Sequence, residues 1–356
     1  MKLLAPSFWW QKTDWWKKAG FPALALWPLS FLYGRIAARR MRGSSAYGPA
    51  VPVICIGNVT LGGAGKTPTA LALAKAALAM GLKPGFLSRG YGGSVRRPTL
   101  VDPGHHTAND VGDEPLLLAS VAPTVVAARR REGARELERQ GIDLIIMDDG
   151  FQSAQIRIDC AVVVTDSYKG DGNGFVFPAG PLRAPLAIQF QKLDMLLVVG
   201  KGDAAIPLVR RAARMGKPVL TAQLQPLPGP NLRGQRLLAY AGIADPEKFY
   251  RTLREMGGDI VVARGFGDHQ PLSAAAIAEL IEEAEANDLL LVTTAKDQAR
   301  LRGSSRGRAS LRSARQDRAE ELLAKSSVIE IEMIFDDPAV PARVIDQARD
   351  RFRRSR

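Results

Sequence analysis

Residues 52–78 read PVICIGNVTLGGAGKTPTALALAKAAL: a short apolar run, a glycine-rich turn closing on Lys-Thr, and an alanine-rich stretch with helical spacing. The run predicts a buried strand, the turn a phosphate loop, and the remainder a helix. Gly62, Gly63 and Gly65 allow the backbone to aim N–H groups at a polyphosphate, Lys66 adds a point charge, and Thr67 offers a hydroxyl to Mg²⁺. Thr60, Leu61 and Ala64 complete the candidate nucleotide loop. The helix that follows points its positive end at the same anion. The pattern G-x-x-x-x-G-K-[ST] fails only at its first position, where Thr60 stands, and the phosphate-wrapping GGxGKT core is intact. The expectation is an α/β fold built on a phosphate-loop NTPase-like parallel sheet.

A second signal lies at residues 143–152, DLIIMDDGFQ, where an apolar strand ends in Asp148 and Asp149. Phosphate-loop hydrolases and kinases place the acid that holds Mg²⁺ at such a position. The two signals together are more specific than either alone. Strands expected at residues 83–87, 125–128, 160–165, 195–199 and 218–221 alternate with helical stretches, as in a parallel sheet covered on both faces. Three loops carry chemistry-bearing side chains: SRGYGG (88–93) with Arg89 and Tyr91, VGDEP (111–115) with Asp113 and Glu114, and PAGPLR (178–183) with Arg183. Acids that open a helix, as Asp113 and Glu114 do, are equally explained by the helix dipole.

The 356 residues exceed what one core usually organises, so two domains are expected. The net charge of +13 is concentrated in residues 1–42, 302–318 and 351–356, which leaves the rest slightly negative. Basic appendages on a near-neutral body argue against nucleic acid as a partner. Cys55 and Cys160 both fall in apolar runs and predict buried thiols. All five tryptophans lie within residues 9–27, interleaved with lysines. Their clustering suits a membrane–water interface, and Arg35, Arg39, Arg40 and Arg42 suit an anionic leaflet. The apolar run 21–33 contains Pro22 and Pro28 and is too short to span a bilayer. Residues 1–42 therefore read as a monotopic anchor, with a helix packed on the protein itself as the alternative.

The Pro/Gly-rich stretch 226–230 has the composition of a domain boundary. A second α/β pattern follows it. Residues 328–335 alternate apolar and acidic side chains and are expected to pair with the strand near 221–227, joining the lobes. Residues 303–318 read as a mobile loop. The expected organisation is residues 1–42 as the membrane-associated segment, 43–222 as a phosphate-loop domain, 223–335 as a smaller α/β domain with linker strands, and 336–356 as a basic helix or tail. His269 lies in GDHQ, a strand-to-helix turn where a lone histidine is as readily structural as catalytic.

In their order, GNVTLGGAGKTP, SRGYGG, GDEP, MDDGFQ, PAGPLR, GDHQP and TTAKD resemble the tetraacyldisaccharide 4′-kinase family of lipid A biosynthesis, from about residue 10 to about residue 300. The resemblance implies a membrane-associated kinase on the cytoplasmic face of a bacterial inner membrane. It implies ATP as phosphoryl donor, Mg²⁺ as cofactor, and an acylated disaccharide lipid as acceptor. By that resemblance Asp113 matches the catalytic acid/base and His269 its partner. Asp148, Asp149 and Thr67 match the Mg²⁺-associated residues, and Asn58, Arg89, Tyr91, Glu114, Gln152 and Arg183 match substrate contacts. A monomer is expected. The sequence departs from the family pattern at Ser153, Ala184 and Ala295. Two rival readings remain: a peripheral membrane ATPase or GTPase switch with no lipid acceptor, and a nucleic-acid binder using the basic patches.

Overall fold

The computed structural model describes residues 18–43, 47–268, 270, 272–305 and 314–356. Trp9, Trp10, Trp15, Trp16 and His269 lie outside these residues.

The strands in chain order are β1 (Val53–Asn58), β2 (Pro84–Ser88), β3 (Thr99–Leu100), β4 (Thr124–Val126), β5 (Leu144–Asp148), β6 (Cys160–Asp166), β7 (Met195–Val199) and β8 (Val219–Pro226). Then come β9 (Arg236–Ala241), β10 (Asp259–Gly265), β11 (Leu290–Thr294), β12 (Ser326–Ile329) and β13 (Ile331–Phe335). The first six helices are α1 (Phe21–Arg42), α2 (Lys66–Ala79), α3 (Ala108–Val111), α4 (Asp113–Ala119), α5 (Arg130–Arg139) and α6 (Leu186–Lys192). The remaining six are α7 (Ile206–Arg214), α8 (Pro246–Glu255), α9 (Ala274–Ala286), α10 (Ala295–Ser305), α11 (Ala314–Lys325) and α12 (Val340–Arg354).

One sheet has the order β13-β8-β7-β6-β1-β5-β2-β4-β3 and is parallel except for the pairs β13–β8 and β3–β4. Every position of β1, β5 and β6 is buried, because both faces of these strands are covered. Leu137 of α5, Phe190 of α6, Leu208 of α7 and Met41 of α1 pack on one face. Leu73 of α2, Leu118 of α4 and Val344 of α12 pack on the other. The second sheet, β10-β9-β11-β12, is wholly parallel, with α8 on one side and α9 to α11 on the other.

The expected pairing of residues 328–335 with the strand near 221–227 is found, with a refinement. β12 pairs with β11 in the small sheet, and β13, beyond Glu330, runs antiparallel to β8 in the large one. The stretch 226–230 therefore begins inside β8 rather than in a loop.

Two expectations need correction. Residues 303–318 are not one loop: 303–305 close α10 and 314–318 open α11, with 306–313 outside the described residues. The C-terminal segment is not an appendage. Val340, Val344, Ile345 and Ala348 of α12 enter the core beside α2, and Arg351 pairs with Asp194 at 2.6 Å. Its basic residues hid an amphipathic face that supplies part of the core. The helix α1 runs for 22 residues, through and beyond the apolar run, with Pro22 in its first turn, where no N–H is needed, and Pro28 inside it. Among the described residues no helix is long and apolar enough to cross a membrane.

Candidate active site

The residues that follow β1, β2, β5, β6 and β7, and those at the ends of β9, β10 and β11, line one cleft of about 3210 Å³. Open α/β sheets bind ligands at the carboxyl ends of their strands, and here two sheets turn those ends toward a shared space.

The phosphate loop forms the floor. Gly62 and Gly65 have φ of 100° and 96°, in the region that favours glycine. A Cβ built at Gly62 or Gly63 would meet nothing within 4 Å, so both face open space large enough for a ligand. Gly65 caps α2 with no side-chain partner, leaving the first N–H groups of the helix directed into the cleft. Two residues expected to touch substrate also brace this loop. Arg183 donates from Nε to the Thr60 carbonyl at 3.0 Å, and Asn58 donates from Nδ2 to the Gly62 carbonyl at 3.1 Å. Gln152 donates to the Asn58 carbonyl at 2.8 Å while also lining the cleft.

The two acids at the end of β5 stand opposite the loop. Thr67 Oγ1 donates to Asp148 Oδ2 at 3.1 Å, and Lys66 Nζ lies 3.8 Å from Asp149 Oδ1. Burial, with Asp149 and Glu114 nearby, pushes Asp148 up to about 6 against the pull of Lys66. Burial would also raise Asp149, but Arg183, at 2.8 Å, and Lys66 outweigh it and hold that carboxyl well below the usual range. Burial pulls Lys66 below its ordinary value. Asp149 adopts φ of 56°, an uncommon conformation for a residue with a side chain. Asp148 Oδ1 is buried and has no hydrogen-bond partner among the described residues, which leaves a lone pair available to a cation. Among the described residues no group of three or more His, Cys, Asp or Glu is arranged to hold a metal. A divalent ion here would take one or two carboxylates and complete its shell with phosphate and water, as Mg²⁺ commonly does.

Arg89, Tyr91 and Glu114 also line the cleft. Asp113 is not on that lining. It is 4% exposed at the start of α4, and its carboxylate meets Arg300 of the second lobe, with Nη2 to Oδ2 at 2.7 Å. Glu114 beside it pairs with Lys296 at 2.8 Å, and Lys296 also reaches Asp268 at 3.1 Å. At the opposite side of the cleft the lobes are joined by Lys248 with Asp166 and by Lys169 with Asp245.

Three cations escaped the sequence reading: Arg130, Lys296 and Arg300. Arg130 is 4% exposed, donates from Nη2 to the Asp149 carbonyl at 3.3 Å, and lines the cleft. A signal was present. Arg130 and Lys296 both fall in the first turn of a helix, where the dipole disfavours positive charge and a cation calls for another reason.

Around the cleft mouth, Tyr33, Ile36, Ala37 and Arg40 of α1 contribute to the lining. Away from the core, α1 exposes Phe21, Leu24, Trp27, Leu29, Phe31 and Leu32, each between 49% and 84% exposed. A contiguous apolar stripe of this kind marks a surface that meets something other than water.

A family model described as Tetraacyldisaccharide-1-P 4′-kinase matches residues 22–346. A tetraacyldisaccharide 4′-kinase of Allorhizobium ampelinum is 91% identical over 356 residues, the full length of both chains. One from Agrobacterium fabrum is 55% identical over 344 residues, covering 97% of this chain and 94% of that one. Among solved structures, LpxK from Aquifex aeolicus, crystallised in complex with ATP, superposes with a TM-score of 0.66. It is 21% identical, with 92% of this chain and 99% of that one covered, a likeness of fold.

Proposed function

The chain belongs to the tetraacyldisaccharide-1-P 4′-kinase family, and from its cleft we infer which of its residues carry the family's reaction. That reaction is the ATP-dependent phosphorylation of the 4′-hydroxyl of a tetraacylated glucosamine disaccharide 1-phosphate in lipid A biosynthesis. Membership displaces the reading of a nucleotide switch with no lipid acceptor.

ATP would place its outer phosphates against the N–H groups of residues 60–67, with Lys66 countering their charge. Thr67, Asp148 and Asp149 would hold Mg²⁺, and the unpartnered Asp148 Oδ1 supports that assignment. When bound, the ion neutralises charge on the phosphate oxygens during transfer. The acceptor hydroxyl is a poor nucleophile, so a carboxylate must take its proton as the phosphoryl group moves. Asp113 is the residue we assign to that step, oriented by His269 from the second lobe. Its burial supports a role that needs the lobes together, since a base completed only on docking limits the transfer of phosphate to water. Arg89, Tyr91, Gln152, Glu114 and Arg183, with Asn58 behind the loop, are assigned to the headgroup and its phosphate.

The exposed stripe of α1 supports a peripheral seat on the cytoplasmic face of the membrane, with the anionic leaflet held by Arg35, Arg39, Arg40 and Arg42. The acyl chains of the acceptor would then stay in the bilayer beside α1 while its headgroup enters the cleft. The protein acts in this reading as a monomer, because one chain supplies both walls.

One observation carries the reading: the phosphate loop, the acids of β5 and the inner face of α1 border a single cleft. The test is transfer from γ-labelled ATP to a tetraacyldisaccharide 1-phosphate in mixed micelles, with the intact protein and with Asp113→Ala. Label in the lipid that disappears with the substitution is expected. Unchanged transfer in the variant would move the base elsewhere.

A further inference from the structure

Arg300 sits in α10 of the second lobe, yet one edge of its guanidinium contacts the first. Nη2 donates to Asp113 Oδ2 at 2.7 Å, and Nε reaches Oδ1 at 3.4 Å. The same guanidinium is fixed within its own lobe, where Nη1 donates to Asp297 Oδ1 at 3.0 Å and to the Gly242 carbonyl at 3.1 Å. Asp297 is itself anchored, accepting from the Gly242 N–H at 3.0 Å and from Thr294 Oγ1 at 2.6 Å. A Cβ at residue 242 would come within 2.6 Å of Arg300 Nη1, so the glycine leaves room for the guanidinium. The Arg300 and Asp113 side chains are 7% and 6% exposed.

This is more than lobe docking requires. Lys296 with Glu114, Lys248 with Asp166 and Lys169 with Asp245 already join the lobes. A desolvated carboxylate is costly unless it is paired and hydrogen-bonded, and an ion pair broken from one side leaves the buried charge uncompensated. We propose that Arg300 is a positioning residue for phosphoryl transfer, holding the Asp113 carboxylate oriented from the second lobe so that the base is ready only when the lobes are docked. The proposal rests on the assignment of Asp113 as the base. Burial acts against the charge of Arg300, but Asp113 and Asp297 outweigh it, so the guanidinium remains a dependable cation. Arginine suits the place because its planar fork serves two oxygens of one carboxylate while a further N–H holds Asp297. A lysine offers one point charge.

The experiment measures label transfer from γ-labelled ATP to tetraacyldisaccharide 1-phosphate by Arg300→Gln, Arg300→Lys, Asp113→Asn and the double variant Asp113→Asn with Arg300→Gln. The full-length protein is used, and thermal unfolding of each variant is recorded. Arg300→Gln should lower kcat about 10- to 100-fold, short of the roughly 100- to 10,000-fold that proton transfer by a placed side chain contributes, because the base itself remains. KM for ATP should stay within about twofold, because the phosphate loop is untouched. Arg300→Lys should recover part of the loss, and it decides the matter should the glutamine variant fail to fold. In the Asp113→Asn background the loss of Arg300 should slow transfer no further. Full kcat in Arg300→Gln, faster transfer than in the intact protein, or the same proportional loss in the Asp113→Asn background would each overturn the proposal. Full transfer by Asp113→Asn would instead remove the base assignment, and the role of Arg300 with it.

Discussion

Thr67 and Asp148 meet across the cleft floor, the hydroxyl of the phosphate loop donating to the carboxylate of β5 at 3.1 Å. Each lies in a motif that the sequence shows by itself, and the parallel pairing of β1 with β5 brings the two together. Asp148 is raised to about 6, chiefly by burial. The raised value means that the proton stays on below that pH, whereas Mg²⁺ requires the carboxylate. Metal and proton should therefore compete. The Mg²⁺ concentration for half-maximal transfer should be nearly constant above pH 7 and rise toward about tenfold per pH unit well below 6. A Mg²⁺ titration at several pH values checks this. A half-saturation point that does not move between pH 7 and 5 would count against Asp148 as a ligand.

Arg183 links three parts of the site, donating to Asp149 Oδ1 at 2.8 Å, from Nε to the Thr60 carbonyl at 3.0 Å, and from its backbone N–H to the Val59 carbonyl at 2.9 Å. Replacing it with alanine removes the side-chain contacts and leaves the backbone one. The lost hydrogen bonds are worth about 1–2 kcal/mol, and the ion pair adds less than its short distance suggests because the Asp149 side chain, although crowded by protein, keeps 40% of its surface open to solvent. Arg183→Ala should raise KM for ATP more than it lowers kcat, with Tm down by about 2–6 °C for a chain of this size. Steady-state kinetics against ATP at fixed lipid separates the two constants. A change confined to the lipid KM would mean that Arg183 serves the headgroup alone.

The sequence made the phosphate loop and the acid strand legible because each is local: a glycine pattern of fixed spacing, and an apolar run ending in carboxylates. The strand character of 328–335 was legible for the same reason, through its alternation, but its break at Glu330 between two sheets was not. The cross-lobe cations were not. Lys296 and Arg300 look like solvent-facing residues of a charged helix, and only the packing of α10 against α4 shows that their partners are Glu114 and Asp113, more than 180 residues away. The place of α12 was hidden likewise, because its arginines dominated the composition while Val340, Val344 and Ile345 carried the core contact. Charge counts describe a segment, and burial depends on which side of the helix each residue occupies.

Gly112 offers a test of how the SRGYGG and GDEP loops work together. Its φ is 95°, and a Cβ there would stand 2.7 Å from the Tyr91 carbonyl oxygen. It also caps the helix that begins with Asp113. Alanine at this position brings a strained backbone, at about 1–3 kcal/mol, and must push the Tyr91 loop or the start of α4 aside. Gly112→Ala should lower stability by at least that much and lower transfer further than the stability loss explains, by displacing Asp113. Denaturant unfolding and kcat on the same preparation give both quantities. Full activity in the alanine variant would show that the position of Asp113 does not depend on this turn.

The apolar stripe of α1 sets up the remaining prediction. Trp27 and Phe31 stack with ring centroids 5.7 Å apart, and both are about half exposed. Burying a side chain of this size in the interface is worth about 1.5–3 kcal/mol, and each nearby arginine adds about 1 kcal/mol on an anionic leaflet. Trp27→Glu with Phe31→Glu should weaken co-sedimentation with phosphatidylglycerol vesicles by at least tenfold, since 1.4 kcal/mol corresponds to one decade. Neither side chain lines the cleft, so the fold and the phosphate loop should be unaffected. Transfer to acceptor presented in vesicles should fall in step with binding, while transfer to a short-chain acceptor free in solution should be retained. Equal loss on both acceptors would mean that α1 supports the cleft itself rather than the approach to the membrane. Undiminished vesicle binding would assign the membrane contact to another surface.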